Sequence, residues 1–339
     1  MRPKALYDYL VWAIQNNEPT LITGAPGVGK SDIVTQACVD TKTHLILSHP
    51  VVSDPTDYKG MPAIVTNEDG SKEAEFLPFG DLKELIHADK KTLFFLDDLG
   101  QAPGSVQAAA MQLPLARRIN GHILSDEVVI FGATNRREDK AGVQGILEPV
   151  KGRFTIVSCE PDEDDWVSWG NKVGIPPELI AYVRWRKSEG KSVIYDFKPT
   201  LNMTNSANPR NVARIGMMMN NNIPKTVEYE AFAGRVGEGW ASEFCSFLKM
   251  FRSLPDPDEV IKNPDKAVIP KEPSVMFALL GSLVGRCKTD NFENIVKFSN
   301  RIPNEFSVML IKDCVSKNTA LAKTQSFVSW SISHKDIIS

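Results

Sequence analysis

Eight consecutive residues near the N-terminus constrain this chain more than any other feature of its sequence. They read G-A-P-G-V-G-K-S, match the phosphate-loop pattern G-x-x-x-x-G-K-[S/T] in full, and are Gly24, Ala25, Pro26, Gly27, Val28, Gly29, Lys30 and Ser31. In such a loop the glycines let backbone N–H groups point at phosphates, the lysine neutralises the β and γ oxygens, and the hydroxyl ligates Mg²⁺. The chain is therefore predicted to bind ATP with Mg²⁺.

The residues on either side of the loop have the context that a phosphate loop needs. Thr20 to Thr23 reads as a short buried strand, and Lys30 to Val39 carries apolar residues at helical spacing. The N-terminus of that helix would face the anion, where the helix dipole favours negative charge.

Short apolar runs alternate with stretches of helical character through the first half of the chain. The candidate strands are Leu21 to Thr23, Leu45 to Leu47, Thr92 to Leu96, Val128 to Ala133 and Phe154 to Ser158. This alternation predicts the α/β class, with a five-stranded parallel sheet covered by helices on both faces. Ligands of such sheets bind at the carboxyl ends of the strands, where we expect the site's polar residues.

Two strand ends carry residues suited to nucleotide hydrolysis. The run T-L-F-F-L ends in Asp97 and Asp98. Asp97 is placed to hold Mg²⁺ together with Ser31, and Asp98 is placed to orient the water that attacks the γ-phosphate. The next strand ends in Asn135, whose uncharged amide suits it to hold that water without competing for its proton.

Two arginines complete the set of candidates. Arg153 lies just before the fifth strand, and Arg210 follows Asn208 and Pro209, a predicted helix cap and first helical residue. A cation in the first turn opposes the helix dipole. A nearby anion such as a phosphate therefore explains the position of Arg210 better than a surface salt bridge does.

An insertion interrupts the strand–helix alternation between Asp54 and Asp81. Met61 to Thr66 and Glu73 to Phe76 read as two strands, and Asp69-Gly70 is a turn signal between them. We predict a hairpin whose apolar residues pack onto the sheet domain; those residues are Met61, Ile64, Val65, Phe76 and Leu77. Its polar tip, Asn67 to Lys72, is predicted to contact a client or partner protein.

The second half of the chain is predicted to be helical. Residues 1–160 form the sheet domain with the insert at 54–80, residues 161–252 a helical lid, and residues 253–339 a proline-rich linker and a terminal helical module. One helix is predicted over Tyr229 to Phe251. Five prolines between Ser253 and Pro273 predict a linker or extended strap without regular structure.

The composition of the chain limits the cellular compartment and the classes of partner that we expect for the protein. A net charge of −3 and a pI near 6.0 argue against a dedicated nucleic-acid binder, since such proteins usually carry excess Lys and Arg. The five cysteines are far apart and not in C-x-x-C spacing, which indicates free thiols. Without a visible signal peptide or an apolar stretch of membrane-spanning length, we expect a cytoplasmic protein.

The ordered set of motifs resembles the AAA+ ATPases, and within them the MoxR family of the helix-2-insert clade. The resemblance covers roughly residues 1–250. Its first motifs are Gly24 to Ser31 as Walker A, residues 54–79 as the insert, and Leu93 to Asp98 as Walker B, followed by A-P-G-S-V-Q-A-A-A-M. Its later motifs are Asn135 as sensor 1, Arg153 in G-R-F as arginine finger, and Arg210 in N-P-R as sensor 2.

The resemblance implies a ring-forming, hexameric ATPase in which Arg153 of one subunit completes the neighbouring site. It further implies that Arg210 moves a helical lid, and that a von Willebrand factor A domain protein serves as client or adaptor for chaperone-like maturation or metal insertion. Two features depart from the family. Asp98 stands where Glu is usual, which sets the carboxylate back by one methylene, and Pro114 interrupts the helix after Walker B.

Three alternatives stay open from the residues alone. A P-loop kinase of small molecules would explain the phosphate loop but not Asn135, Arg153 and Arg210. A nucleic-acid motor or loader shares the whole apparatus, although the acidic balance counts against it. The shorter Asp98 also admits a nucleotide switch that does not hydrolyse.

Overall fold

The computed structural model describes residues 1–139, 145–200, 202–252, 254 and 256–335. By their internal contacts the residues divide into two compact units, unit 1 (Met1–Glu160) and unit 2 (Pro161–Ser339). The predicted separation of unit 2 into a lid at 161–252 and a module at 253–339 stays a prediction.

Unit 1 combines short strands with helices that follow them. Its strands are β1 (Thr20–Thr23), β2 (His44–Ser48), β3 (Met61–Thr66), β4 (Lys72–Leu77), β5 (Thr92–Leu96), β6 (Arg118–Ile119), β7 (His122–Ile123), β8 (Val128–Thr134) and β9 (Thr155–Ser158). Its α-helices are α1 (Pro3–Gln15), α2 (Lys30–Thr41), α3 (Pro55–Lys59), α4 (Gly80–Ile86), α5 (Gly104–Ala110), α6 (Leu113–Ala116) and α7 (Glu148–Lys151).

Five strands form one parallel sheet in the order β2-β5-β8-β1-β9. Successive side chains of a strand face opposite sides, so Phe94 and Leu96 join a core with α3, α4 and α5, while Leu93 and Phe95 are buried on the other side. Helices α1 and α2 contact each other and bury apolar side chains there. The predicted fold class, a parallel five-stranded P-loop sheet with flanking helices and a helical C-terminal part, is confirmed.

Unit 2 is built from helices. They are α8 (Glu163–Val173), α9 (Pro177–Ser188), α10 (Pro209–Asn220), α11 (Glu228–Val236), α12 (Glu238–Arg252), α13 (Pro257–Lys262), α14 (Pro273–Arg286), α15 (Phe292–Ser299), α16 (Asn304–Lys317) and α17 (Gln325–Ser333). A partly buried ion pair joins α9 to α16: an Arg184 Nη lies 2.9 Å from Oδ1 of Asp313. Burial raises the pKa of Asp313 first of all, and the Arg184 charge opposes that rise.

Two predictions for unit 2 were wrong. The single helix over Tyr229 to Phe251 is two helices, α11 and α12, because Gly237 between them has a φ of 91° that no helix accommodates. The predicted strap contains α13, which begins at Pro257 and is capped by the Asp256 side chain. Proline at the first helical position and Asp at the cap favour a helix start, which the count of prolines obscured. Ser253 and Pro255 lie outside the described residues.

Unit 1 confirms the β3–β4 hairpin but corrects its packing. Met61, Ile64, Phe76 and Leu77 are exposed rather than packed onto the sheet, and Val65 is only partly buried. The sequence pattern predicts which residues pair across the two strands, but only the surrounding structure decides whether another element covers them. The predicted effect of Pro114 is seen as the break between α5 and α6.

A second, smaller hairpin, β6–β7, was missed in the sequence. Asn120 and Gly121 both have positive φ, of 48° and 85°. Asn-Gly is a strong signal for such a turn, and the two-residue strands were too short to recognise. The side chains of Asn120 and His122 reach the carbonyl oxygens of Lys59 and Phe76, at 2.8 and 2.7 Å, and so hold the base of the β3–β4 hairpin.

Candidate functional site

The phosphate loop connects the end of β1 to the start of α2. Gly27 and Gly29 have φ of 75° and 98°, in the left-handed region that glycine occupies without strain. Within the described chain, no side chain caps the N-terminus of α2. The positive end of the helix dipole is thus available to an anion at this loop.

Close packing fixes the start of the loop against β9. A Cβ added to Gly24 would lie 2.7 Å from the carbonyl oxygen of Cys159, so a larger residue would displace the backbone. The N–H of Cys159 donates to the carbonyl of Thr23, at 2.7 Å. Burial raises the pKa of the Cys159 thiol to about 11 even though the Lys30 charge lowers it, so this residue is a neutral packing group.

Lys30, the lysine of the motif, donates hydrogen bonds to at least three oxygens. Its Nζ donates to the carbonyls of Gly24 and Ala25, at 2.9 and 3.1 Å, and to Oδ1 of Asn135 at 2.8 Å. Only 7% of Lys30 is exposed. A buried ammonium needs such partners, because an unpaired charge away from water is costly.

The two acids after β5 take different positions. The Ser31 hydroxyl donates to Oδ2 of Asp97 at 2.7 Å, which puts a hydroxyl and a carboxylate side by side. Asp98 accepts from Nδ2 of Asn135 at 3.4 Å. The structure therefore brings Lys30, Ser31, Asp97, Asp98 and Asn135 together at the carboxyl ends of β1, β5 and β8.

The backbone of Asp98 has a conformation that few residue types adopt. Its φ of 57° and ψ of 31° lie in the left-handed region. Among non-glycine residues, Asp and Asn enter this region most readily, because their short polar side chains can hydrogen-bond locally. The Asp98 N–H is 3.1 Å from Oδ1 of Asp97. The short side chain of Asp98 therefore suits this backbone conformation.

These residues fit ATP and Mg²⁺. The Ser31–Asp97 pair supplies hard oxygen ligands, as Mg²⁺ requires, and the loop glycines give the cradle that phosphates require. Within the part of the chain that the structure describes, no group of three or more His, Cys, Asp or Glu side chains could hold a metal ion. Mg²⁺ would thus also need phosphate oxygens and water, which is its usual mode of binding.

Arg153 is not brought to this cluster within its own chain. It precedes β9, whose first residue, Thr155, pairs with Thr20 at the start of β1. The phosphate loop follows the other end of β1, so at least about 10 Å of strand separates the two positions. The Arg153 side chain reaches the carbonyl of Pro149, and its Nε is buried without a hydrogen-bond partner among the described residues.

Arg210 belongs to unit 2, in the first turn of α10. The cap is as predicted: Asn208 accepts from the N–H of Asn211 at 2.9 Å, and Pro209 is the first helical residue. Arg210 is exposed, and the first turn contains no acidic residue. Its predicted role at the phosphates stays a prediction.

Sequence reasoning missed Gln107 on α5. This side chain is 1% exposed, donates to the carbonyls of Ala102 and Gly145, and accepts from the N–H of Leu147. It therefore fixes the segment that leads into α7 and Arg153. A lone amide among the small apolar residues of α5 is the signal in the sequence.

Comparisons with known proteins give distant structural likeness only. No family model matches the sequence, and no curated protein is significantly similar to it. One similar structure is a P216G mutant of RuvB of Thermotoga maritima, with 14% identity, 83% of this chain and 80% of that chain covered, and a TM-score of 0.40. Another is NtrX of Brucella abortus in complex with ADP, with 13% identity, 99% and 67% covered, and a TM-score of 0.35. TM-scores this low carry no argument about function.

In the described residues, no helix has the length and apolar character needed to cross a membrane.

Proposed function

We propose that this chain is an AAA+ ATPase of the MoxR type, which forms rings and couples ATP hydrolysis to the remodelling of a client protein. One observation carries the proposal: five side chains predicted for ATP hydrolysis converge at one edge of the sheet. The Nζ of Lys30 lies 2.8 Å from Oδ1 of Asn135, and the Oγ of Ser31 lies 2.7 Å from Oδ2 of Asp97. Asp98 completes the group beside Asn135.

Each residue has a role that its chemistry supports. Lys30 and the N-terminus of α2 bind the β- and γ-phosphates, while Ser31 and Asp97 hold Mg²⁺, which neutralises phosphate charge when bound. Asp98 orients the attacking water and accepts its proton. Asn135 sits beside both Lys30 and Asp98, close enough to position the water between them.

We further propose that Arg153 acts in the site of a neighbouring subunit. It precedes the amino end of β9, whereas its own phosphate loop follows the carboxyl end of the neighbouring strand β1, and its buried Nε has no hydrogen-bond partner among the described residues. An arginine finger supplied in trans is worth about 10³ to 10⁵ in rate. A single subunit would then be nearly inert, and assembly into a ring, hexameric in the resembling family, would control activity.

Arg210 and the β3–β4 hairpin connect hydrolysis to work on a client. Arg210, an exposed cation in the first turn of α10, would contact the nucleotide and move the helical part of the chain as the phosphates change. The hairpin exposes apolar side chains suited to a protein partner. By the resemblance, that partner is a von Willebrand factor A domain protein, and the work is maturation or metal insertion.

The experiment uses the full chain with two site variants and two surface controls. Lys30→Ala is expected to abolish ATP binding. Asp98→Asn should bind ATP but hydrolyse it about 10² to 10⁴ times more slowly, because it loses the acid that takes the proton. Asparagine tolerates the left-handed backbone as well as Asp does, so Asp98→Asn tests chemistry rather than folding. Binding is measured by calorimetry and hydrolysis by phosphate release.

The controls are the exposed Lys90→Ala and Asp126→Asn, which should behave as the original chain does. Full turnover by Asp98→Asn would contradict the role of Asp98. Turnover that requires an added small-molecule acceptor would instead indicate a kinase, and turnover stimulated by DNA or RNA would indicate a nucleic-acid motor.

A further inference from the structure

Asn135 bridges the two groups on which the proposed reaction depends. Its Oδ1 accepts from Lys30 at 2.8 Å, and its Nδ2 donates to Oδ1 of Asp98 at 3.4 Å. The amide can be oriented only this way, since an ammonium has no acceptor and an ionised carboxylate has no donor. Asn135 is 8% exposed and closes the β8 strand, so the surrounding sheet holds it in place.

The contact with Lys30 competes with the role proposed for that lysine. The ammonium has three N–H donors, and here donors go to Gly24, Ala25 and Asn135. A phosphate oxygen that approaches Lys30 therefore competes with these acceptors for its donors. The two carbonyls belong to the loop itself, whereas Asn135 lies 105 residues away along the chain and also holds Asp98.

We propose that Asn135 is a positioning residue that latches Lys30 in the nucleotide-free protein and is released when phosphate binds. This inference rests on the proposed function of Lys30 and Asp98. When Lys30 turns to a phosphate, Oδ1 of Asn135 loses its donor, and the amide can rotate away from Asp98. The binding of phosphate at the loop thereby changes the hydrogen bonding of Asp98, the acid that orients water, through the side chain of Asn135.

The test measures ADP affinity, which involves no turnover, together with the melting temperature of the nucleotide-free chain. Asn135→Ala should bind ADP about fivefold more tightly, the size expected when one competing hydrogen bond is removed from the free protein. The same variant should melt at a lower temperature without nucleotide, because buried Lys30 loses an acceptor, and its kcat should fall.

Asn135→Asp serves as the opposite variant. Its carboxylate forms an ion pair with Lys30, so ADP should bind more weakly than to the original chain while the nucleotide-free protein keeps its melting temperature. The matched control is Asn171→Ala in unit 2, an amide of the same 8% exposure that donates to Asp313. It should lower the melting temperature and leave ADP affinity unchanged.

The outcomes separate this inference from the function beneath it. If the original chain binds no ADP, the proposed function fails. If the chain binds ADP but Asn135→Ala binds it equally or more weakly, the latch is wrong and Asn135 only supports the bound nucleotide. If Asn135→Ala does not fold, the Asn135→Asp arm decides: ADP affinity equal to that of the original chain overturns the latch.

Discussion

Two regions of unit 1 differ in which side chains they bury and which they expose. At the phosphate-loop edge of the sheet, polar side chains are buried and hydrogen-bonded to one another, as with Lys30 and Asn135. On the β3–β4 hairpin, apolar side chains are exposed, and Ile64 is 76% accessible. Burial at the first region holds in place the polar groups that we propose act in ATP hydrolysis. Exposure at the second leaves surface available to another molecule.

The register of the hairpin places four of its apolar residues together on one face. Pro62 pairs with Phe76, and Ile64 pairs with Ala74, so these four residues share a face. A two-stranded hairpin alone is marginally stable in water. This one is anchored at its base, where the buried Tyr58 on α3 lies 2.9 Å from the Ser48 hydroxyl.

The difference agrees with the two functions that we propose for this unit, ATP hydrolysis at the sheet and partner binding at the hairpin. A reaction needs donors and acceptors held at fixed distances before the substrate arrives, which a packed sheet edge provides. Partner recognition needs apolar surface that the protein does not cover itself. The contact of the hairpin with a client or partner protein remains a prediction, and the following experiments would break or sharpen this contrast.

The largest effect is expected on ATP hydrolysis, and it tests whether the active site is shared between subunits. Arg153→Ala should lower the hydrolysis rate of assembled rings by about 10³ to 10⁵. Mixing Arg153→Ala subunits with Lys30→Ala subunits should restore some hydrolysis, because some interfaces then pair an intact loop with an intact finger. Phosphate release is measured at fixed total protein. A mixture as inactive as either parent, with rings shown to form, would rule out the action in trans.

The next effect compares one substitution in the two regions. Ile130→Ala, on β8 at 1% exposure, should lower the free energy of unfolding by about 2–5 kcal/mol through cavity formation. Ile64→Ala on the hairpin should change it by about 0.5 kcal/mol or less, as surface substitutions do. Denaturant unfolding measures both. A large loss at Ile64 would show that the exposed face contributes to folding, contrary to the contrast drawn here.

The smallest effect on stability is expected at the tip of the hairpin. The tip bonds are local: the N–H of Asn67 donates to Ser71, and Oδ1 of Asp69 accepts from Ser71. Replacing Asn67 to Ser71 by Asn-Gly should therefore leave Tm nearly unchanged, because Thr66 and Lys72 already pair across the strands and Asn-Gly closes a two-residue turn between them. Basal ATPase should persist, while client-stimulated ATPase and adaptor binding should be lost. Full stimulation without the tip would move the partner surface to residues 274–333.

The features that could be predicted from the sequence are those that depend on residues close together in the chain. The phosphate loop, the bounds of β1 and β5, the Asn208 cap of α10 and the break before Pro114 depend on neighbouring residues, and these predictions agree with the structure. The placement of Asp97, Asp98 and Asn135 at strand ends followed in the same way, because parallel strands end at one edge.

What the sequence left open depends on contacts between distant residues. The Lys30–Asn135 contact joins positions 105 residues apart, and the exposure of Ile64 depends on which elements reach the hairpin. Gly237 separates α11 from α12 through its φ of 91°, and a glycine in the sequence permits this φ without requiring it. Local propensity fixes where an element can form, but burial and hydrogen-bond partners are set only when the whole chain has folded.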